Sequence, residues 1–190
     1  MGDAISPGMT VGTCAWMEQE WLRGLGTVDK QFFEAVRYMD DILMVYADAA
    51  EWDSDRFLAD LQASECYWPP LRLEAASGDT FLETRFEVTP NGFKYRLKNT
   101  NEGTTKPMVW RYQHFDSYGA YQQKRSTLMA SLRKVDKMAS DGEQLLRSGS
   151  AKLQEFTRLR YPAGIRKFMC EVMYRDTGKI EWRYLRAGQQ

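Results

Sequence analysis

The chain has 190 residues, of which 43% are hydrophobic and 13% aromatic, and this composition indicates a globular protein and excludes a disordered one. The sequence has no apolar run near the ~20 residues of a membrane helix, and residues 1–13 lack the basic start and apolar centre of a signal peptide. We therefore expect an intracellular protein, nuclear or cytoplasmic, with no membrane partner.

The formal net charge of zero hides an uneven distribution of charge along the chain. Residues 1–121 carry a net charge of −8, residues 122–167 carry +7, and residues 168–190 carry +1. An acidic part followed by a basic segment is typical of a metal site beside an element that binds a polyanion. Surface helices that bind nothing are also often locally basic, so the charge pattern leaves both interpretations open.

Cysteine and histidine are too scarce for most disulfide and metal chemistry. Cys14, Cys66 and Cys170 lie far apart in the sequence, and His114 is the single histidine. A disulfide framework or a zinc site is therefore not expected. Any bound metal would be held by carboxylates, and oxygen ligands favour magnesium or manganese.

The first 47 residues predict a loop, a helix and a β-hairpin. Residues 1–8 are rich in Gly, Ser and Pro, and apolar residues then recur at helical spacing from about Val11 to Leu25. Strand-like runs at 32–38 and 42–47 flank a very short polar turn. The second run is apolar at nearly every position, so we expect it to be buried on both faces.

The rest of the chain predicts a helix, an antiparallel meander and a helical region. Asp53 or Ser54 caps a helix that ends near Ser64, with an apolar face formed by Phe57, Leu58 and Leu61. Strands are expected at 71–74, 81–88 and 93–98. Helices are expected over 121–147, onward to 159 after an interruption at 148–150, and over 165–174. The predicted fold class is α+β.

Four features that could carry chemistry occur in order along the chain. They are the Gly-containing stretch 6–13 with Glu20 beyond it, the acidic turn 38–41, the segments 73–74 and 81–83, and the basic region after residue 121. Adjacent carboxylates in a tight turn repel each other unless a cation relieves the repulsion. Each feature also has an ordinary explanation. The acidic turn could be a solvated turn, the Gly-containing stretch a loop, segment 81–83 part of the core and the basic region a set of packed helices. The functional interpretation therefore depends on the occurrence of all four features in this order.

These residues resemble the motifs of reverse transcriptases. Tyr38-Met39-Asp40-Asp41 resembles the YxDD signature, the stretch from Gly8 to Glu20 resembles the Gly-containing motif that precedes it, and Phe81-Leu82-Glu83 resembles the hairpin that grips the primer. His114-Phe115-Asp116, Arg125-Ser126 and Arg160-Tyr161-Pro162 resemble the thumb of Penelope-like retroelement polymerases. The resemblance covers most of residues 5–170.

The resemblance implies a domain organisation and a role for individual residues. It implies a partial antiparallel palm over 1–105, a helical thumb-like region over 106–175 and a C-terminal tail over 176–190. Asp40 and Asp41 would be the catalytic residues and the ligands of Mg²⁺ (or Mn²⁺). The other expected sites are nucleotide or template binding by Gly8 or Gly12 and Tyr38, a primer grip at Phe81 and Leu82, and nucleic-acid backbone binding by Lys124, Arg125, Arg133, Lys134 and Lys137.

The implied parent activity is template-directed DNA synthesis by two-metal nucleotidyl transfer. Its substrates would be an RNA or DNA template with a primer and deoxynucleotide triphosphates. The family places another metal-binding aspartate before the Gly-containing motif, and only seven residues precede Gly8. We therefore expect this chain to be inactive alone and to require the fingers and palm portion of a parent protein.

Two other functions remain open at the level of sequence. The chain could be a non-catalytic, nucleic-acid-binding remnant of a retroelement polymerase, built on the basic thumb-like region. It could also be a carboxylate-rich α+β protein in which the turn Tyr38-Met39-Asp40-Asp41 occurs by coincidence.

Overall fold

A computed structural model of the chain describes residues 6–27, 29–39, 41–47, 53–64, 66, 73, 78–90, 92–102 and 109–189. The fold is α+β, as predicted, and the chain divides into two compact units, Met1–Gly78 and Asp79–Gln190. This division falls earlier than the predicted boundary at 105, because the last three strands form one sheet whose final strand, residues 92–97, packs against the C-terminal helices. Across the described residues, no helix has the length and apolar character needed to cross a membrane.

The first unit contains three helices and a β-hairpin within its described residues. These are α1 (Ser6–Gly24), α2 (Asp29–Phe32), β1 (Phe33–Tyr38), β2 (Asp41–Tyr46) and α3 (Ser54–Ala63). The hairpin and α3 lie where the sequence predicts them. Asp53 caps α3, as expected, because its Oδ1 accepts hydrogen bonds from the amides of Asp55 and Arg56 at 3.1 and 3.0 Å.

An aromatic cluster joins the elements of the first unit. The ring of Phe57 on α3 lies 5.1 Å from that of Trp21 on α1 and 4.5 Å from that of Phe33 on β1. Leu61 is buried beside this face of α3, whereas Leu58 is exposed. The prediction that β2 is buried on both faces is wrong, because its four central residues are half-buried and its ends are exposed. A two-stranded ribbon is too narrow to exclude water as a wide sheet does.

The predicted N-terminal loop is helical from Ser6 onward. Helix α1 begins five residues before the predicted start, so both Gly8 and Gly12 lie inside it. Proline is tolerated in the first turn of a helix, because the amide it lacks has no helical acceptor there. Glycine lowers helix propensity by only about 1 kcal/mol, which neighbouring residues can offset. The prediction of a loop from the Gly-Ser-Pro composition is therefore wrong from Ser6 onward.

The second unit begins with a three-stranded antiparallel meander. Its strands are β3 (Thr80–Phe81), β4 (Thr84–Thr89) and β5 (Gly92–Leu97), in the order β3-β4-β5. The predicted single strand over 81–88 is wrong, because Phe81 pairs with Thr84 and the chain reverses at Leu82 and Glu83. Leu82 adopts a φ of 54°, which is uncommon for a leucine, so no ordinary turn residue signals the reversal.

Four helices complete the described part of the second unit. They are α4 (Tyr121–Lys137), α5 (Gly142–Arg158), α6 (Ala163–Thr177) and α7 (Glu181–Ala187). The predicted continuous helix over 121–147 is wrong, because α4 ends at Lys137 and Asp141 starts a new helix by accepting a hydrogen bond from the Gln144 amide at 2.9 Å. The predicted interruption at 148–150 lies inside α5. Gly149 is buried there, and a Cβ at this position would lie 2.5 Å from Cδ1 of Leu185.

The core of the second unit is formed by α4–α7, the connection between α5 and α6, and one residue of β5. Its fully buried side chains include Leu128, Leu132, Leu153, Phe156 and Trp182. The indole Nε1 of Trp182 donates a hydrogen bond to Oδ1 of Asp136 at 3.0 Å. Residues 176–190 are therefore not a simple tail, because they include the end of α6 and the packed helix α7. The sequence does not predict this packing, because α7 is short and only two of its residues, Trp182 and Leu185, are buried.

Candidate functional site

The acidic motif lies at the end of the β1–β2 hairpin. Tyr38 pairs with Asp41 in the last register position of the two strands, which leaves two residues, Met39 and Asp40, between them. Met39 adopts a φ of 55°, the left-handed conformation that two-residue hairpin connections require. Asp40, the predicted principal metal ligand, lies outside the described residues.

The described residues of this turn are open to solvent. Tyr38 is 56% exposed and Met39 is 54% exposed, and Asp41, the first residue of β2, is also exposed. Asp41 makes no ion pair with any residue that the structure describes. Its carboxylate is therefore accessible to a cation or to a phosphate-bound metal from solution.

Arg37 connects the turn to helix α1. Its guanidinium donates hydrogen bonds from Nε to the two carboxylate oxygens of Glu18 at 3.0 and 2.9 Å, and a further bond runs from Nη2 to the same carboxylate. Its Nη1 donates to the carbonyl oxygen of Met39 at 2.8 Å. Both side chains are largely buried, with exposed fractions of 14% for Arg37 and 20% for Glu18. The contact fixes the backbone of the turn relative to α1 within the first unit.

Sequence reasoning did not assign a role to Arg37 or Glu18. The arginine stands directly before the motif, but adjacency on a strand does not show which face it occupies. Only the register and the packing of α1 place the guanidinium against the Met39 carbonyl. Arg37 is a positioning residue for this turn, because it contacts both the Glu18 carboxylate and the Met39 carbonyl. Hydrogen bonds to ionised groups are roughly twice as strong as neutral ones, so the contact is a firm one.

The described residues do not form a preformed metal cage. Over the part of the chain that the structure describes, no three His, Cys, Asp or Glu side chains converge on one point. Magnesium, however, is usually held by one or two carboxylates together with water and substrate phosphates. The exposed Asp41 carboxylate fits that limited requirement, and no further ligand is placed by the described residues.

The predicted nucleotide-binding glycines lie on the solvent side of α1. Gly8 and Gly12 are exposed, and a Cβ built on either would meet no described atom within 4 Å. No described protein atom approaches either glycine closely, and nucleotide or template binding there stays a prediction. Glu20, further along α1, pairs with Arg23 on the same helix.

The predicted primer-grip residues lie in the second unit, at the β3–β4 reversal. Phe81 is half-buried and Leu82 is 47% exposed. The neighbouring Glu83 pairs with Lys134 and lies 3.8 Å from Nη1 of Arg111. Phe81-Leu82-Glu83 therefore forms a small hairpin turn, held to helix α4 by an ion pair. Leu73 has no regular secondary structure, and Glu74 lies outside the described residues.

Two of the thumb-like motif segments come together in the second unit. The rings of Phe115 and Tyr161 lie 5.1 Å apart at an angle of 62°, and the Phe115 amide donates to the Leu159 carbonyl at 2.9 Å. Arg160 lies 3.5 Å from Oδ2 of Asp116. Burial raises the pKa of the Tyr161 hydroxyl, which keeps it protonated. These contacts give both segments a structural role in joining the loop before α4 to the end of α5.

Protein groups already contact several of the five cations predicted to bind the nucleic-acid backbone. Lys124 is buried and donates to the carbonyl of Phe115 at 2.6 Å and to that of Ser117. Arg133 pairs with Asp176 at 3.3 Å, and Lys134 pairs with Glu83. Lys137 is exposed on the last turn of α4. Arg125 is half-buried between two aromatic rings rather than beside a described carboxylate.

Comparison with known proteins identifies no relative of this chain. No protein-family model matches it, and neither the curated proteins nor the solved structures gave a significant match.

Proposed function

We propose that the first unit carries the metal-binding turn of a reverse-transcriptase palm. The parent activity is then template-directed DNA synthesis by two-metal nucleotidyl transfer. The observation that supports this proposal best is the position of Tyr38-Met39-Asp40-Asp41 at the end of an antiparallel hairpin, where Asp41 is exposed. In the family that this motif resembles, the turn holds the catalytic metal ligands at such a position.

The proposed chemistry divides between the metal and the protein. When bound, Mg²⁺ or Mn²⁺ supplies charge stabilisation at the phosphate under attack. The carboxylates of Asp40 and Asp41 would hold it, and Tyr38 would contact the template–primer strand. Arg37 keeps the turn in place through the Met39 carbonyl. Chain extension would also need the further metal-binding aspartate that the family carries on another strand.

A manganese titration followed by NMR tests the metal-binding turn. We expect Mn²⁺ to broaden the amide signals of Tyr38, Met39 and Asp41 in a saturable way, because a paramagnetic ion bound by these carboxylates lies beside them. The combined variant Asp40→Asn and Asp41→Asn should lose this broadening. Asp60→Asn, which changes an exposed aspartate of the same unit, is the matched control and should keep it.

Either of two NMR results would count against the proposed metal-binding turn. One is broadening that is spread over all surface carboxylates, and the other is broadening that persists in the double variant. Either would show that the turn is not a specific metal-binding site. A primer-extension assay with template, primer and Mg²⁺ should show no product for this chain. Sustained extension would contradict the expectation that this chain is inactive alone.

A second candidate function is supported by the charge of the second unit. Residues 122–167 contain 11 lysines and arginines against 4 acidic residues. The unit could therefore bind nucleic acid without catalysis, as a remnant of a retroelement polymerase. This function predicts salt-dependent binding to a template–primer duplex that Asp40→Ala does not change, and binding that is independent of salt would exclude it.

A further inference from the structure

The surface where α4 meets α6 combines exposed aromatic rings with an arginine. The guanidinium carbon of Arg125 lies 5.7 Å from the ring centroid of Tyr121 and 5.4 Å from that of Phe168. Tyr121 is 52% exposed and Phe168 is 47% exposed. The three side chains therefore form one continuous surface across the two helices, which we call the α4–α6 aromatic surface.

Both signs of charge lie near this surface in the sequence. Residues 117–135 and 159–170 contain seven lysines and arginines, and Asp116, Asp136 and Glu171 directly flank these ranges. Each of these acids already pairs with a cation, Asp116 with Arg160, Asp136 with Lys179 and Glu171 with Arg186. Arg125 and Lys167 make no ion pair with a described carboxylate. The available charge at the aromatic surface is therefore cationic.

The ring arrangement distinguishes this surface from an ordinary phosphate-binding patch. A protein that binds phosphates alone needs lysine and arginine but has no use for half-exposed rings beside them. Single-stranded nucleic acid has unpaired bases that stack on aromatic and guanidinium planes while basic residues contact its backbone. A duplex keeps its bases stacked inside and cannot use the rings in this way.

We propose that the α4–α6 aromatic surface binds single-stranded nucleic acid by stacking unpaired bases on Tyr121, Phe168 and Arg125. Tyr118, three residues before Tyr121 and ahead of α4, is also fully exposed. The proposal deepens the nucleic-acid-binding function of the second unit and rests on it. It does not depend on metal binding by the hairpin of the first unit.

Fluorescence anisotropy with the full chain and a labelled oligothymidylate tests the proposal. We expect Phe168→Ala and Tyr121→Ala each to weaken binding by about 5- to 140-fold, the range that corresponds to the loss of one stacked base. Tyr184→Ala removes a 63% exposed aromatic residue from α7 and should leave the affinity unchanged. Arg125→Lys keeps the charge but loses the planar group, so it should weaken binding while the salt dependence is retained. Circular dichroism verifies that each variant is folded.

Competition experiments separate base stacking from charge. An abasic strand of the same length should compete much less well than oligothymidylate, and a duplex should compete less well than its separated strands. Equal competition by the abasic strand would overturn the stacking proposal, as would preferred binding to duplex, to an acidic peptide or to anionic vesicles. Oligothymidylate binding that is unchanged in Tyr121→Ala and Phe168→Ala would overturn this inference alone. Absence of binding to any nucleic acid would also overturn the nucleic-acid-binding function.

Discussion

Substitution of Trp182 by alanine should strongly destabilise the second unit. Trp182 is fully buried among the core side chains of α4–α7, although it lies near the C-terminal end of the sequence. Removal of a buried tryptophan side chain costs about 3–5 kcal/mol of unfolding free energy. The indole also donates to Asp136, but Asp136 keeps its contact with Lys179 Nζ at 3.0 Å. The lost hydrogen bond therefore leaves no stranded charge, and the cavity dominates the cost.

Urea denaturation followed by the helical circular-dichroism signal measures this effect. The midpoint should fall while the dependence on urea concentration stays similar, because the same surface is exposed on unfolding. Tyr184→Ala is the matched control, since Tyr184 lies on the same helix but is 63% exposed, and it should change stability by less than about 0.5 kcal/mol. A loss below about 1 kcal/mol for Trp182→Ala would show that α7 is not part of the core.

Three further predictions concern other contacts. Arg37→Met should destabilise the first unit by about 1–3 kcal/mol, since it removes hydrogen bonds to the Glu18 carboxylate; an unchanged urea midpoint by Trp fluorescence would refute this. Gly149→Val should cost about 1–3 kcal/mol by overpacking against Leu185, and Leu185→Ala should relieve part of that cost if the contact is real. Burial raises the pKa of the Cys170 thiol to about 12 from an ordinary value of 9.0. Because the folded state holds this proton more tightly, its contribution to stability is complete below about pH 9 and declines toward pH 12. Alkylation mapped by mass spectrometry at pH 8 should leave native Cys170 unmodified, and rapid labelling would contradict its burial.

Local patterns in the sequence predicted most of the regular elements. The hairpin at 33–46, helix α3 with its Asp53 cap, and strand β5 depend on alternation and capping within a few residues. The tight connection between two strand-like runs placed Asp41 at the end of a hairpin for the same reason. Such features are determined by neighbouring residues, so a single sequence is sufficient to find them.

Features that depend on distant residues were missed. Gly149 looks like a helix breaker until the approach of Leu185 shows why a small residue is needed there. Arg37 looks like an ordinary strand residue until packing places it between Glu18 and the Met39 carbonyl.

The chain by itself therefore determined its α+β composition, the acidic turn between two strands and the basic character of residues 122–167. Only the tertiary structure decided that Lys124 is buried, that Arg125 lies between Tyr121 and Phe168, and that α7 belongs to the core. The physical reason is the distance along the chain over which each kind of interaction acts. Backbone preference and alternation act between neighbours, whereas burial and charge pairing depend on which distant segments the fold brings into contact.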